Sequence, residues 1–296
     1  MFTVIMANKI AILLSEQDNY PEGRGHFIWW LCDVWREWGI EIEILKGTQH
    51  FVAADLLIPH IDTTVLPESY SDFFLKYPRV INGCVRDISK RRISRNLLAR
   101  GDSHAGPVIV KTDWNSGGVR DAHFPTRKIV FSTMPKPSFW SRWLNQKQNR
   151  AGAGWAKANC MNTEDYSVFP SLQAVPEAVF TNNSLVVERF LPEFERGIYY
   201  LRIYTFLGDQ AYCARLGSMQ PIVKNKNIVS RKEVPIPKEV VQFRRELGFD
   251  YGKLDFVIHE GQVVVLDVNH TPGRIKSEEQ MKANASRLAP GINSFF

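Results

Sequence analysis

Two aspartates and an asparagine, Asp255, Asp267 and Asn269, lie in a stretch whose pattern can bring them together. Residues 253–269 (KLDFVIHEGQVVVLDVN) alternate apolar and polar side chains around Glu260-Gly261, which predicts two strands joined by a turn. A two-residue loop would set His259 against Gln262 and Leu254 against Asp267. That buries a carboxylate among Leu254, Phe256 and Ile258, which is costly. A shift of one, through a three-residue loop or a bulge at Gly261, sets Asp255 against Asp267 instead. Leu254, Phe256, Ile258, Val264, Leu266 and Val268 then share an apolar face, and Asp255, Asp267 and Asn269 share the other. Carboxylates directly opposite each other repel. With an amide oxygen beside them they form an oxygen-only set suited to Mg²⁺, with Mn²⁺ as the alternative. A hairpin with one solvated face would carry paired acids too.

Other residues suit anions. The apolar run Pro107–Lys111 ends in a lysine, and Thr112 to Val119 follows with Gly117-Gly118. Glycines let backbone N–H groups approach a phosphate closely, and lysine adds a point charge, although a Gly-Gly turn is common without any ligand. Arg202 interrupts the apolar and aromatic strand Ile198 to Leu207, so it needs an anionic partner, either a structural acid or a bound phosphate or carboxylate. Arg274 could hold an anionic substrate or be a surface charge at a helix start. Arg24, His26 and Arg86 lie in loops where a parallel sheet takes its ligands, and each also reads as an ordinary surface residue.

The elements that must position these groups follow in order. Lys9 to Ser15, Ile40 to Leu45, Asp55 to Pro59 and Arg79 to Asn82 read as four strands. A helix over Phe27 to Trp38, stopped by Gly39, lies between the first two, and this alternation predicts a small open parallel sheet. Asp87 to Leu98 reads as a helix. The pattern blurs from Phe131 to Pro176. Ser184 to Leu191 is a strand, Ile198–Leu207 and Gln210–Leu216 form a hairpin around Gly208-Asp209, and Pro237 to Leu247 and Ser277 to Arg287 read as helices.

Composition narrows the classes. The 296 residues are enough for two or three subdomains. The excess of 37 basic over 31 acidic residues, +6 net, suits an anionic small ligand without demanding nucleic acid. Cys32, Cys84, Cys160 and Cys213 are widely spaced with no Cys-x-x-Cys pair, which predicts free thiols in a reducing cytoplasm. Residues 1–9 have neither a basic leader nor a long apolar core, and no stretch reaches the roughly 20 apolar residues of a membrane helix.

Asp255 followed by Asp267-Val-Asn269-His-Thr-Pro272-Gly273 resembles the metal-binding end of the ATP-grasp superfamily, which includes D-alanine–D-alanine ligase, glutathione synthetase and biotin carboxylase. The superfamily usually has Glu where Asp267 stands, so the shorter side chain implies monodentate coordination. The resemblance implies an α/β plus α+β architecture in three parts. Residues 1–86 would form a small parallel α/β domain, residues 87–186 a helix and lid subdomain, and residues 187–296 a metal-binding α+β domain. It implies that Lys90, in competition with Arg91 and Arg95, and Lys111 contact the nucleotide, and that a mobile Gly117-Gly118 loop covers its phosphates. Glu188 and the backbone of Arg189, Phe190 and Leu191 would hold adenine, and Glu195 the ribose hydroxyls. Arg202 would stabilise the transferred group, with Lys111 and Arg274 also serving catalysis. The implied activity is an ADP-forming carboxylate–amine ligase using ATP and Mg²⁺ on a small-molecule or peptide carboxylate and an amine. A small-molecule kinase and a non-catalytic nucleotide-binding module are the alternatives. The resemblance calls for no nucleic acid or membrane partner and leaves a homodimer open.

Overall fold

The run Lys9–Leu14 is apolar on both faces of an extended chain, so it must be covered on both. In the computed structural model it is β1, the middle strand of a parallel sheet ordered β2-β1-β3, with β2 at Glu41–Lys46 and β3 at Leu56–His60. The structure describes residues 8–17, 25–121, 152–161, 163, 166–273, 275 and 277–296. Ile10, Ile12 and Leu14 belong to a core with helix α1 (Ile28–Glu37) and the helix Glu278–Leu288, whereas Ala11 and Leu13 pack with Tyr70, Phe73 and Tyr77. Gly39 ends α1 with φ +82°, the left-handed cap that its glycine allows. The fourth expected strand, Arg79 to Asn82, is reduced to one parallel bridge, Leu57 to Val80. Asn82 turns the chain away with φ +57°, and its side chain is tied to the Asp250 and Tyr251 backbone.

The chain divides into two compact units, residues 1–87 with 193–296, and residues 88–192. The three-part division drawn from the sequence remains a proposal beside this. In the second unit, β4 (Val108–Thr112) is the middle strand between β5 (Ser167–Phe169) and β6 (Leu185–Arg189), both antiparallel to it. Val108, Val110, Leu185 and Val187 pack with Trp155, Leu172 and Val179. The helix expected over Asp87 to Leu98 is confined to Lys90–Ile93. Residues 96–98 run beside β6 instead: Leu98 N–H donates to Val187 C=O and Arg189 N–H to Asn96 C=O, both at 2.8–2.9 Å.

The glycine stretch after β4 is a buried turn, Asn115–Gly118, rather than an open loop. Gly117 has φ +69°, its carbonyl accepts from Met161 N–H at 2.9 Å, and a Cβ on it would lie 2.0 Å from the Met161 carbonyl oxygen. Gly117→Ala is therefore expected to cost roughly 2 kcal/mol or more, from the clash and the left-handed backbone together. Chemical denaturation checks this: a midpoint within error of the wild type would refute the packing described.

The first unit continues with β7 (Glu193–Glu195), β8 (Ile198–Leu207), β9 (Gln210–Ser218), β10 (Ile228–Glu233), β11 (Tyr251–His259) and β12 (Gln262–Asn269). They form an antiparallel sheet ordered β10-β9-β8-β11-β12, with β7 beside β8. The β11–β12 loop has two residues, Glu260 (φ +48°) and Gly261 (φ +81°), the paired positive φ of a type I′ turn. His259 accordingly faces Gln262. Further from the turn the register shifts: Phe256 faces Val265 but Asp255 faces Asp267, leaving Leu266 as the extra residue of a bulge. The expected facing of the two acids holds, while the shift lies at Leu266 and not in the turn. One consequence corrects the expected apolar face: Val264 pairs with Val257 on the face of the acids, and Val263 and Val265 face Ile258 and Phe256. Among the described residues, no helix is long and apolar enough to cross a membrane.

Candidate functional site

In the second unit the antiparallel register puts Lys111 opposite Val186 and Glu188 opposite Ile109, making the lysine and the acid diagonal neighbours on one face. Their side chains meet at 2.6 Å and both are buried. The second carboxylate oxygen of Glu188, Oε1, is buried with no hydrogen-bond partner. A desolvated acid with an unfilled lone pair is an acceptor for a donor still to come. Lys90 is buried as well, and its N–H donates to Asp113 C=O at 2.8 Å. Its competitor Arg91 is half exposed, bonding Leu185 C=O at 2.8 Å and lying 3.4 Å from the Asp113 carboxylate. The N–H groups of Arg189 and Phe190 are both taken, by Asn96 and Pro107 carbonyls, so neither remains to hold a base.

In the first unit, Asp255 and Asp267 face each other with Asn269 two residues on. Lys253 is also two residues from Asp255, hence on the same side of the strand, and its ammonium lies 2.8 Å from both Asp255 oxygens. The Asn269 side-chain oxygen accepts from Thr271 N–H at 2.6 Å and from the Thr271 hydroxyl at 2.8 Å. Oxygen donors from two acids and an amide fit a hard divalent cation by type. Lys253 here supplies the positive charge that Asp255 needs. Among the described residues, no three or more His, Cys, Asp or Glu side chains are grouped to hold a metal.

Arg202 takes the structural acid of the two options. Its Nε and Nη2 donate to Glu193 at 2.9 Å each, Arg215 Nε donates to the same carboxylate at 2.8 Å, and Ile258 N–H completes the set at 2.8 Å. Burial pushes the Glu193 carboxyl up, but the Arg202 and Ile258 hydrogen bonds and the two guanidinium charges outweigh it and hold it below the usual range. Glu195, the expected ribose ligand, is exposed and paired with Arg215 at 2.9 Å. Arg274 and Arg24 lie outside the described residues. Arg86 is exposed, and His26 is buried.

Glu193 and Lys253 escaped the sequence reading, and both had a signal. Each sits two residues from a candidate site residue, Glu195 and Asp255, and a two-residue period puts such pairs on one side of a strand. The cysteines are free, and burial pushes the Cys213 thiol up to about 11, far from a reactive thiolate at neutral pH.

His60 adds a pH dependence. Burial, reinforced by His26 and His270, holds it well below the usual 6.5. A histidine whose folded value is lowered contributes stability that is full above 6.5 and is lost as the pH falls from there toward the folded value. Thermal melts are expected to fall on acidification in that range, and less so in His60→Gln. Parallel curves for the two proteins would remove His60 as the cause.

No protein-family model matches the chain, and no curated protein does. Among solved structures it is similar to the ATP-grasp ligase PsnB complexed with precursor peptide PsnA2 and AMPPNP, at 13% identity and TM-score 0.50, over 95% of this chain and 97% of that one. It is also similar to a RimK-domain ATP-grasp protein from Sphaerobacter thermophilus, at 10% identity and TM-score 0.49, over 97% and 98% of the two chains. A third likeness is to D-alanine–D-alanine ligase from Bacillus anthracis complexed with ATP, at 12% identity and TM-score 0.45, over 98% and 96%. At these identities what the likeness carries is the fold.

Proposed function

The chain has the ATP-grasp fold, and on that premise we propose that it is an ATP-dependent ligase joining a carboxylate to an amine. The observation that carries this reading is the facing of Asp255 and Asp267 across β11 and β12. Two carboxylates held opposite each other call for a cation, and a nucleotide polyphosphate is handled with one.

Asp255, Asp267 and Asn269 would hold Mg²⁺ or Mn²⁺, with Lys253 released from Asp255 and Thr271 from Asn269. When bound, the ion neutralises charge on the phosphate oxygens. The unfilled Oε1 of Glu188 suits an exocyclic amine, the group that distinguishes adenine at that edge. Lys111 and Lys90 would supply positive charge to the phosphates, with Gly117 and Gly118 shaping the backbone beside them, and Glu195 would exchange Arg215 for the ribose hydroxyls. Leu191 would border the base with Arg189 and Phe190, through groups other than the two N–H groups already taken. Arg202, steadied by Glu193, would face the transferred phosphoryl group, and Arg274 would hold an anionic substrate.

In this reaction a carboxylate oxygen attacks the γ-phosphorus and ADP leaves. The amine then attacks the acyl carbon and phosphate leaves. Such transfer depends on positioning and charge neutralisation more than on a protein nucleophile. Hydroxylamine tests the proposal, because it captures an acylphosphate as a hydroxamate and leaves a phosphate ester untouched. Hydroxamate should form with ATP, Mg²⁺ and the correct acid from a panel of amino acids, small acids and peptides. ADP release with a hydroxyl substrate, a stable phosphate ester and no hydroxamate from any acid would make the protein a kinase.

A further inference from the structure

β12 ends at Asn269, opposite Lys253, so its pairing with β11 stops two residues short of Tyr251. In an antiparallel strand alternate residues turn their N–H and C=O groups to the same side. Tyr251 therefore offers both groups on the side where Lys253 and Asp255 meet β12. Tyr251 is fully buried, and buried backbone groups need partners. The Asn82 carboxamide supplies them: its Oδ1 accepts from Tyr251 N–H at 3.1 Å and its Nδ2 donates to Tyr251 C=O at 2.7 Å. A carboxamide has the donor and the acceptor of a peptide group, so Asn82 fills the next place in the ladder. Along β11, Asp255 faces Asp267, Lys253 faces Asn269, and Tyr251 meets Asn82.

Two more bonds tighten this tie. Asn82 Oδ1 also accepts from Asp250 N–H at 2.8 Å, and Asn82 N–H donates to the Asp250 carboxylate at 2.8 Å. Together they hold Asn82, which is buried, at φ +57°, a left-handed backbone that persists only where the surroundings over-determine it. Gly252 carries the constraint one residue further. At φ +154° it lies so close to β12 that a Cβ on it would stand 2.5 Å from the Asn269 carbonyl oxygen. Asn269 is thus seated against residues 250–252, and Asn82 fixes where they lie. We propose that Asn82 is a positioning residue for the cation site, closing the open end of the β11–β12 hairpin so that Asn269 keeps its register with Asp255 and Asp267.

This inference rests on the ligase reading, which brings an ion to those three side chains. Asp255 and Asp267 lie one pair further into the ladder, with paired residues on both sides. Asn269 is at its end and depends on what closes it. Loss of an outer support of this kind weakens metal binding roughly 10–100-fold. Asn82→Gly isolates the effect, because glycine adopts the left-handed backbone and keeps the N–H bond to Asp250 while all three side-chain bonds are lost.

The test is Mn²⁺ binding to the whole protein without nucleotide, read by electron paramagnetic resonance. Amide exchange of Thr271, whose N–H bonds the Asn269 side chain at 2.6 Å, is followed beside it. Asn82→Gly should bind Mn²⁺ roughly 10–100-fold more weakly and exchange the Thr271 amide faster. Asn82→Asp keeps the acceptor oxygen, loses the donor, and should be weakened less. Its added negative charge favours a cation, so weakening there reports position and not charge. Val179→Ala, which truncates the core of the other unit, should lower the melting temperature and leave Mn²⁺ binding unchanged, separating positioning from general loss of stability. Mn²⁺ affinity equal to wild type in Asn82→Gly overturns the inference, and if that variant does not fold, the same result in Asn82→Asp does so. A wild-type protein that binds no Mn²⁺ removes the ion reading instead, and Thr271 exchange then decides whether Asn82 places Asn269. The hydroxamate assay decides the ligase reading separately.

Discussion

Asp267→Asn is expected to lower ATP-dependent hydroxamate formation by roughly a thousandfold or more while leaving the fold intact. The two effects separate because of where Asp267 sits. It is half-buried on the face it shares with Asp255, away from the face on which Leu254, Phe256 and Val268 pack. The change is nearly isosteric and removes one of two carboxylates that repel across the strands. Stability should therefore stay within about 1 kcal/mol of wild type, or rise. The loss in activity follows from removing half the negative charge that would hold the cation, with Lys253 left as the uncontested partner of Asp255. Melting temperature and ADP release, measured on one preparation, check both halves. Full activity in the variant would remove Asp267 from the metal set. Loss of the fold would mean that the carboxylate has a structural role that its register does not suggest.

That register was readable in the sequence because a one-residue slip exchanges the faces of a strand, and burying Asp267 among apolar residues is costly. The place of the slip was not readable. Glu260-Gly261 forms the tight turn that its composition favours, so the extra residue appears at Leu266, further along the ladder. Elsewhere long-range partners overrode local pattern. Residues 96–98 lie along β6 in place of a helix, and Asn82 is turned by the backbone of Asp250 and Tyr251 far along the chain. The glycines after β4 were expected to free a loop, and they instead admit the carbonyls of Met161 and Asn159. Arg202 announced that it needed an anion, since an arginine in an apolar strand cannot stand alone. Which anion was undetermined, because Glu193 and Glu195 share a side of β7 and only the fold shows that the inner one meets Arg202. The overall architecture was carried by a few residues, Asp255 and the 267–273 segment, and it reappears in a structure only 13% identical.

Glu193→Ala is expected to destabilise the protein by about 3 kcal/mol at neutral pH, the largest loss anticipated from one side chain. The carboxylate is 6% exposed and accepts from Arg202, Arg215 and the Ile258 N–H, so its removal leaves the Arg202 guanidinium and the Ile258 N–H without this acceptor and Arg215 with only its bond to the exposed Glu195. Partial exposure of both arginines, 14% and 22% at the side chain, allows water to compensate, which keeps the expected loss at the low end for a buried pair. Glu193→Gln keeps an acceptor for Ile258 and should lose less, roughly 1–2 kcal/mol. Acid supplies the control. The folded carboxyl is held below 4.5, so its contribution is full above 4.5 and is lost as the pH falls through the folded value. The gap between wild type and Glu193→Ala, measured by denaturation across that range, should narrow steadily on acidification. A gap that stays constant would show that Glu193 acts by its volume, and that the cationic pair around it does not depend on its charge.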